Sequence, residues 1–190
     1  TEQKFFIQTL AGSIQVECLN SRATEFRVKI EKHSFLSREI PVTGEIREVV
    51  NEGFVFHGRE YKATCLTVGN PHCIIFADQV SEEAVRELGP YVENAPEFPE
   101  RMNLQICRRI DSGNLDMEIW ERGSGYTKAS GTGSCAAAIA ARRLGLVDER
   151  VNVNQPGGMI QIDLKEDGEV YMTGSVGFVG EISIAESFFS

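Results

Sequence analysis

No apolar run in the sequence exceeds the seven residues of CAAAIAA, 135–141. A helix that crosses a bilayer needs roughly 20, so no membrane span is expected. No secretory leader is expected either. Positive charge is also scarce. Lys and Arg number 19 against 28 Asp and Glu, for a net charge of −9. Nucleic acid and anionic lipid both require a basic patch, and the longest basic clusters are the pairs Arg108-Arg109 and Arg142-Arg143. Binding to either is therefore not expected. Only three histidines occur (His33, His57 and His72), and they are too scattered to suggest a metal cluster. The five cysteines (Cys18, Cys65, Cys73, Cys107 and Cys135) are odd in number and never spaced CxxC. That pattern disfavours a disulfide scaffold or a zinc site and fits free, mostly buried thiols in a reducing cytoplasm.

What is present suits a folded enzyme-sized unit. The 190 residues are 42% hydrophobic and 25% charged, enough for one large domain or two small lobes. Most of the chain reads as strands. KFFIQTLAGSIQVECL and EFRVKI run apolar or alternate, with a Gly-Ser break between the first two strands. FVFHGREYKATCLTVG reads as a hairpin turning at His57-Gly58, and CIIFAD as a short buried strand. SEEAVRELGPYVENA reads as a helix capped by Ser81, acidic in its first turn and broken at Gly89-Pro90. MNLQICRRI and LDMEIWER are strands joined by the turn DSGN. A second helix follows Gly133 and ends near Gly145. VNVNQ, MIQIDL, EVYMTGS and GEISIAE close the chain as strands. The expected class is α+β with strands predominating. SREIPVTGE (37–45) is the candidate crossing between lobes.

Four polar clusters interrupt this pattern. In SGTGSCAAAIAA, Gly131 and Gly133 allow close approach of a ligand to a helix N-terminus, whose unpaired N–H groups and partial positive charge suit a carboxylate or phosphate. The same residues equally describe a tight strand-to-helix turn with Ser130 or Thr132 as an ordinary N-cap. The turn matches neither a P-loop nor a dinucleotide fingerprint. GNPHC (69–73) would carry Asn70 and His72 to one end of a sheet, or be a simple turn. FPERMN ends in Asn103 just before a strand. Glu121-Arg122 follows a strand and precedes the glycine turn; read alone it is a surface ion pair of little worth.

GNPHC, FPERMN, ERGSGYTKASGTGSCAAA, PGG and YMTGSVGFVGEI occur in this order at plausible intervals. Together they resemble the diaminopimelate epimerase family of cofactor-independent amino-acid epimerases, over nearly the whole chain. The resemblance implies two pseudo-symmetric lobes, each a sheet wrapped round a central helix, with the active site between them. Residues 43–177 would form a complete second lobe, and 1–42 with 178–190 a remnant of the first. It also implies epimerisation at Cα by two thiols on opposite faces of the substrate. The default substrates are LL- and meso-diaminopimelate, in lysine and cell-wall biosynthesis. No cofactor or metal is implied; homodimers are. Asn70, Asn103, Glu121, Arg122, Gly131 and Thr132 fall on the family's substrate-binding positions. Arg122 would hold a distal carboxylate, Gly131 and Thr132 would offer amides to the α-carboxylate, Glu121 would tune the adjacent acid/base, and His72 falls near the catalytic centre.

Three departures qualify what the resemblance implies. The family has ACGTG or ACGSG where this chain has ASGTG, so Ser130 occupies the place of a catalytic cysteine. Cys135, a full turn into the helix, is expected to face the core. The family's other catalytic cysteine lies in a CGNG-type motif that would precede Thr1, so about the first third of a usual member is expected to be missing, leaving apolar strand faces exposed. Tyr126 stands in GYT where the family has GET, a change expected to bear on substrate choice. Three functions therefore stand side by side: an epimerase, a single-base isomerase or dehydratase (or other amino-acid racemase) on the same fold, and a non-catalytic amino-acid-binding relative or inactive fragment.

Overall fold

The computed structural model describes residues 3–9, 12–30 and 32–189. The first three strands are β1 (Gln3–Thr9), β2 (Gly12–Cys18) and β3 (Glu25–Ile30). The middle of the chain gives β4 (Glu52–Phe56), β5 (Arg59–Thr67), β6 (Pro71–Phe76), helix α1 (Glu82–Glu93), β7 (Asn103–Asp111), β8 (Asn114–Glu121) and β9 (Gly125–Thr127). Helix α2 (Gly131–Arg143) is followed by β10 (Arg150–Gln155), β11 (Gly158–Leu164) and β12 (Val170–Ser175). The strands form one sheet in the order β1-β2-β3-β12-β11-β10-β8-β7-β6-β5-β4, with β9 paired to β8. Among the described residues, only β6–β7 and β8–β10 pair in parallel.

Turn chemistry sets the hairpins. His57 and Gly58 both have positive φ, 50° and 74°, as a two-residue turn matching the twist of β4 and β5 requires. Between β7 and β8 the Asp111 carboxylate accepts from the Gly113 N–H at 2.7 Å.

Period-two alternation in the strands then divides the core between two faces. Leu66, Ile74, Cys107, Leu115, Met117 and Ile119 pack with α2. Cys65, Cys73, Ile75, Leu104 and Ile106 pack with α1. Every residue of α2 from Gly133 to Ala141 is buried, so the helix has no solvent face and the sheet wraps it. Its alanines let β5–β8 and β10–β12 all come within contact of one axis. The segment 37–45 lies on the other face, where Ile40 and Val42 join the α1 cluster.

Two sequence expectations fail here. Gly89-Pro90 does not break α1, which continues to Glu93. An interior proline costs a helix about 3 kcal/mol, but Val85, Leu88 and Val92 are all buried, each worth roughly 1.5–3 kcal/mol. Gly89 serves packing: a Cβ there would sit 2.3 Å from Trp120 Cδ2. The strand expected at GEISIAE does not form. After the Val176 N–H donates to Thr24 O, residues 176–185 are irregular and a 3-10 turn spans Glu186–Phe189. A strand needs a ladder partner, and the described chain places none beside it; Phe178 is 86% and Ile182 89% exposed. On β1, Phe5, Phe6 and Ile7 are exposed as well. No described helix is long and apolar enough to cross a membrane.

Candidate active site at the N-terminus of the central helix

The parallel pairing of β6 and β7 places His72 opposite Asn103, so both strands begin at the same end of the sheet. β8 runs antiparallel to β7 and therefore delivers Glu121 and Arg122 to that end. The first turn of α2 lies there too: the Asn70 amide nitrogen is 3.4 Å from Thr132 Oγ1. The structure thus gathers Asn70, His72, Asn103, Glu121, Arg122, Ser130, Gly131 and Thr132 at one end of one sheet.

Ser130 caps α2. Its Oγ accepts from the Gly133 N–H at 3.0 Å, and its carbonyl accepts from the Ser134 hydroxyl at 2.8 Å. Its own N–H donates to Gln155 Oε1 at 2.9 Å. The helix starts at Gly131, three residues before its expected start, because this cap satisfies its first turn. The N–H groups of Gly131 and Thr132 remain beyond intrahelical acceptors, as the first residues of any helix do. The PGG turn braces the approach: Gly157 N–H donates to Lys128 O, and a Cβ on Gly157 would lie 2.9 Å from that oxygen. A Cβ on Gly131 would meet Met172 Sδ at 3.0 Å.

His72 is fully buried on the α2 face. Its Nδ1 lies 2.9 Å from Gln105 Oε1 and its Nε2 lies 3.0 Å from Asn70 Oδ1. Burial, helped by the positive charge of Arg122, lowers its pKa to about 4, so the imidazole is neutral near pH 7. The Asn103 side chain is committed to the protein. Its Nδ2 donates to Pro71 O at 2.6 Å and its Oδ1 accepts from the Arg122 N–H at 2.8 Å. Arg122 reaches the Glu100 carbonyl through NH1 at 2.9 Å. Asn103 therefore sets where Arg122 stands.

Two further groups shape this end of the sheet, and the sequence reading passed over both. Gln105 is fully buried, and its Nε2 has no hydrogen-bond partner. Its signal was the polar residue at every second position of NLQIC, a period that puts Gln105 on the Asn103 face. Glu93 accepts from Trp120 Nε1 (2.7 Å), Gly123 N (2.8 Å) and Arg101 NH1 (3.0 Å). It clamps the turn that carries Glu121 and Arg122, and no local pattern in ENAPEF announces this.

Two other readings resolve clearly. Cys135 is buried, and burial pushes its thiol up to about 12, so it is no substitute base. Tyr126 is not at the site. Its hydroxyl donates to Glu118 at 2.9 Å, and Arg86 of α1 lies over its ring at 4.4 Å. It pairs with Trp120, whose side chain packs on the α1 face, so Tyr126 has no route to a ligand at α2.

The chain is similar to known proteins over most of its length. The family model for diaminopimelate epimerase matches residues 64–179. The chain is 40% identical over 189 residues to diaminopimelate epimerase 2 of a Nostoc species, covering 100% of this chain and 66% of that protein. It is 35% identical over 188 residues to diaminopimelate epimerase of Caldanaerobacter subterraneus, covering 97% and 69%. Among solved structures, a probable proline racemase from Agrobacterium radiobacter superposes with a TM-score of 0.70 at 14% identity, over 97% of this chain and 61% of that one. That likeness establishes the fold. The chain spans about two thirds of the length of the curated relatives it matches.

Proposed function

Because the chain belongs to the diaminopimelate epimerase family, we propose that it supplies the carboxylate-binding side of a cofactor-independent epimerase. The reaction inverts an amino acid at Cα, with LL- and meso-diaminopimelate as the substrates, in lysine and cell-wall biosynthesis. One observation carries the reading. The open amides of Gly131 and Thr132, the Asn70 amide and the neutral His72 converge at the start of a buried helix.

The α-carboxylate rests on the Gly131 and Thr132 amides, where the helix dipole favours negative charge. Arg122 takes the distal carboxylate, and Glu121 binds substrate beside it. Removing the α-proton leaves an electron pair that delocalises into that carboxylate, and fixed amide dipoles stabilise it without reorganising. Residue 130 stands at the family's thiol position. A serine hydroxyl keeps its proton at neutral pH, so from this side it can donate but not abstract. A thiol at a helix N-terminus is tuned toward thiolate. Action in the cytoplasm, pairing as a homodimer, and 43–177 as one complete lobe belong to the same proposal.

The test is Ser130→Cys in deuterated water with single isomers of diaminopimelate. The thiol is expected to raise deuterium incorporation at Cα by about 100-fold or more, the lower end of what a positioned acid or base contributes. Calorimetric binding without exchange in either form would assign the chain to amino-acid binding alone. Neither binding nor exchange would end the proposal.

A further inference from the structure

One fully buried polar group at this end of the sheet has no role yet. Gln105 is fully buried, and its amide nitrogen is unpartnered. That nitrogen lies beside α2: a Cβ on Gly133 would sit 3.1 Å from it and 2.9 Å from Ser130 Oγ. A second feature lies next to it. A neutral imidazole offers one donor and one acceptor. Yet His72 faces a carbonyl oxygen at each nitrogen, Gln105 Oε1 and Asn70 Oδ1. One of those two contacts would set lone pair against lone pair.

The two ends of a side-chain amide have the same shape, so the network decides which end faces which partner. Turning Asn70 over would satisfy His72 but leave the Gln105 NH2 stranded in the core. Turning Gln105 over resolves both features. Its NH2 then donates to His72 Nδ1, His72 Nε2–H donates to Asn70 Oδ1, and the Asn70 NH2 keeps its place toward Thr132. The group left facing α2 is a carbonyl, which tolerates an incomplete set of hydrogen bonds better than an N–H does.

We infer that Gln105 is a positioning residue: through the Nε2–H tautomer of His72 it holds the Asn70 amide with its NH2, not its carbonyl, toward the anion-binding turn of α2. The opposite tautomer would present the Asn70 oxygen there and repel a carboxylate. The relay of Gln105, His72 and Asn70 thus selects for negatively charged ligands without Gln105 touching them. The tautomer stands on the hydrogen-bond geometry alone; its consequence for ligand choice rests on the carboxylate-binding reading above.

The experiment is long-range proton–nitrogen NMR of the histidine rings in the ligand-free, nitrogen-15-labelled chain at pH 7. The expected result is a protonated Nε2 and a bare Nδ1 on His72, with a coupling across the hydrogen bond to the Gln105 side-chain nitrogen. A proton on Nδ1 would overturn the inference. The second arm is Gln105→Glu, read at a pH where the carboxyl carbon shift shows the new side chain ionised, so that it only accepts. There a proton is expected on Nδ1; a ring left bare at Nδ1 contradicts the relay. If the variant fails to fold, the wild-type spectrum decides by itself. Diaminopimelate binding is then measured on the wild type. Its absence would remove the functional reading while leaving the tautomer result standing.

Discussion

Replacing Glu93 by alanine tests how the site's far edge is held. The carboxylate is 8% exposed in its side chain and accepts from three donors. Arg101 is 53% exposed, so water replaces its lost partner and that pair contributes little. The other two donors, the Trp120 indole and the Gly123 amide, are tied to a turn packed against α1. Each unpartnered buried donor costs about 1–3 kcal/mol. Partial access of water to the exposed Gly123 reduces its share, leaving a loss of about 3 kcal/mol. Urea unfolding followed by the fluorescence of Trp120, the single tryptophan, measures this directly. Arg101→Ala is the control, expected to cost under about 1 kcal/mol. The reasoning fails if the two variants lose equal stability, because the clamp would then be an ordinary surface ion pair.

His72 predicts a pH dependence. Its pKa falls from 6.5 in the unfolded chain to about 4 in the fold, so its contribution is complete above pH 6.5 and is lost as pH falls through 4. The loss is about 3 kcal/mol at ~1.4 kcal/mol per unit; His33, lowered by burial as well, adds in the same direction. A urea midpoint that stays flat from pH 7 to pH 4 contradicts this. Gly89→Ala improves helix propensity by about 1 kcal/mol, yet its Cβ meets the Trp120 ring. We expect a net loss of stability from overpacking of about 1–3 kcal/mol and an altered Trp120 emission spectrum; a gain in thermal midpoint would refute the packing argument. Ser130→Ala removes the cap on Gly133 N–H and is expected to cost about 1 kcal/mol in the same unfolding assay.

Elements governed by local chemistry were legible in the sequence. The His57-Gly58 and DSGN turns, the Ser81 cap and the buried alanine helix all follow from residue type and period, and the structure has them. The cap at Ser130 was one of two readings the residues allowed, and geometry selects it. Elements that depend on partners remote in sequence were not legible. Whether Gly89-Pro90 ends a helix depends on the core that buries Val85, Leu88 and Val92, and the need for glycine at 89 depends on Trp120, 31 positions on. Whether GEISIAE is a strand depends on a neighbour to pair with, which local pattern cannot supply. Tyr126 looked like a site residue because it stands where the family's motif has an acidic residue, but alternation along β9 turns it to the α1 face. Gln105 was hidden in a strand that otherwise reads as core.

The central claim is that the first turn of α2 binds a carboxylate. Amide NMR shifts during titration of the wild-type chain with meso-diaminopimelate test it most directly. The account predicts the largest, saturable shifts at the Gly131 and Thr132 N–H groups and the Asn70 side-chain NH2, with Gly133, whose N–H is already held by Ser130 Oγ, moving less. Shifts centred elsewhere, or none at saturating ligand, would contradict it.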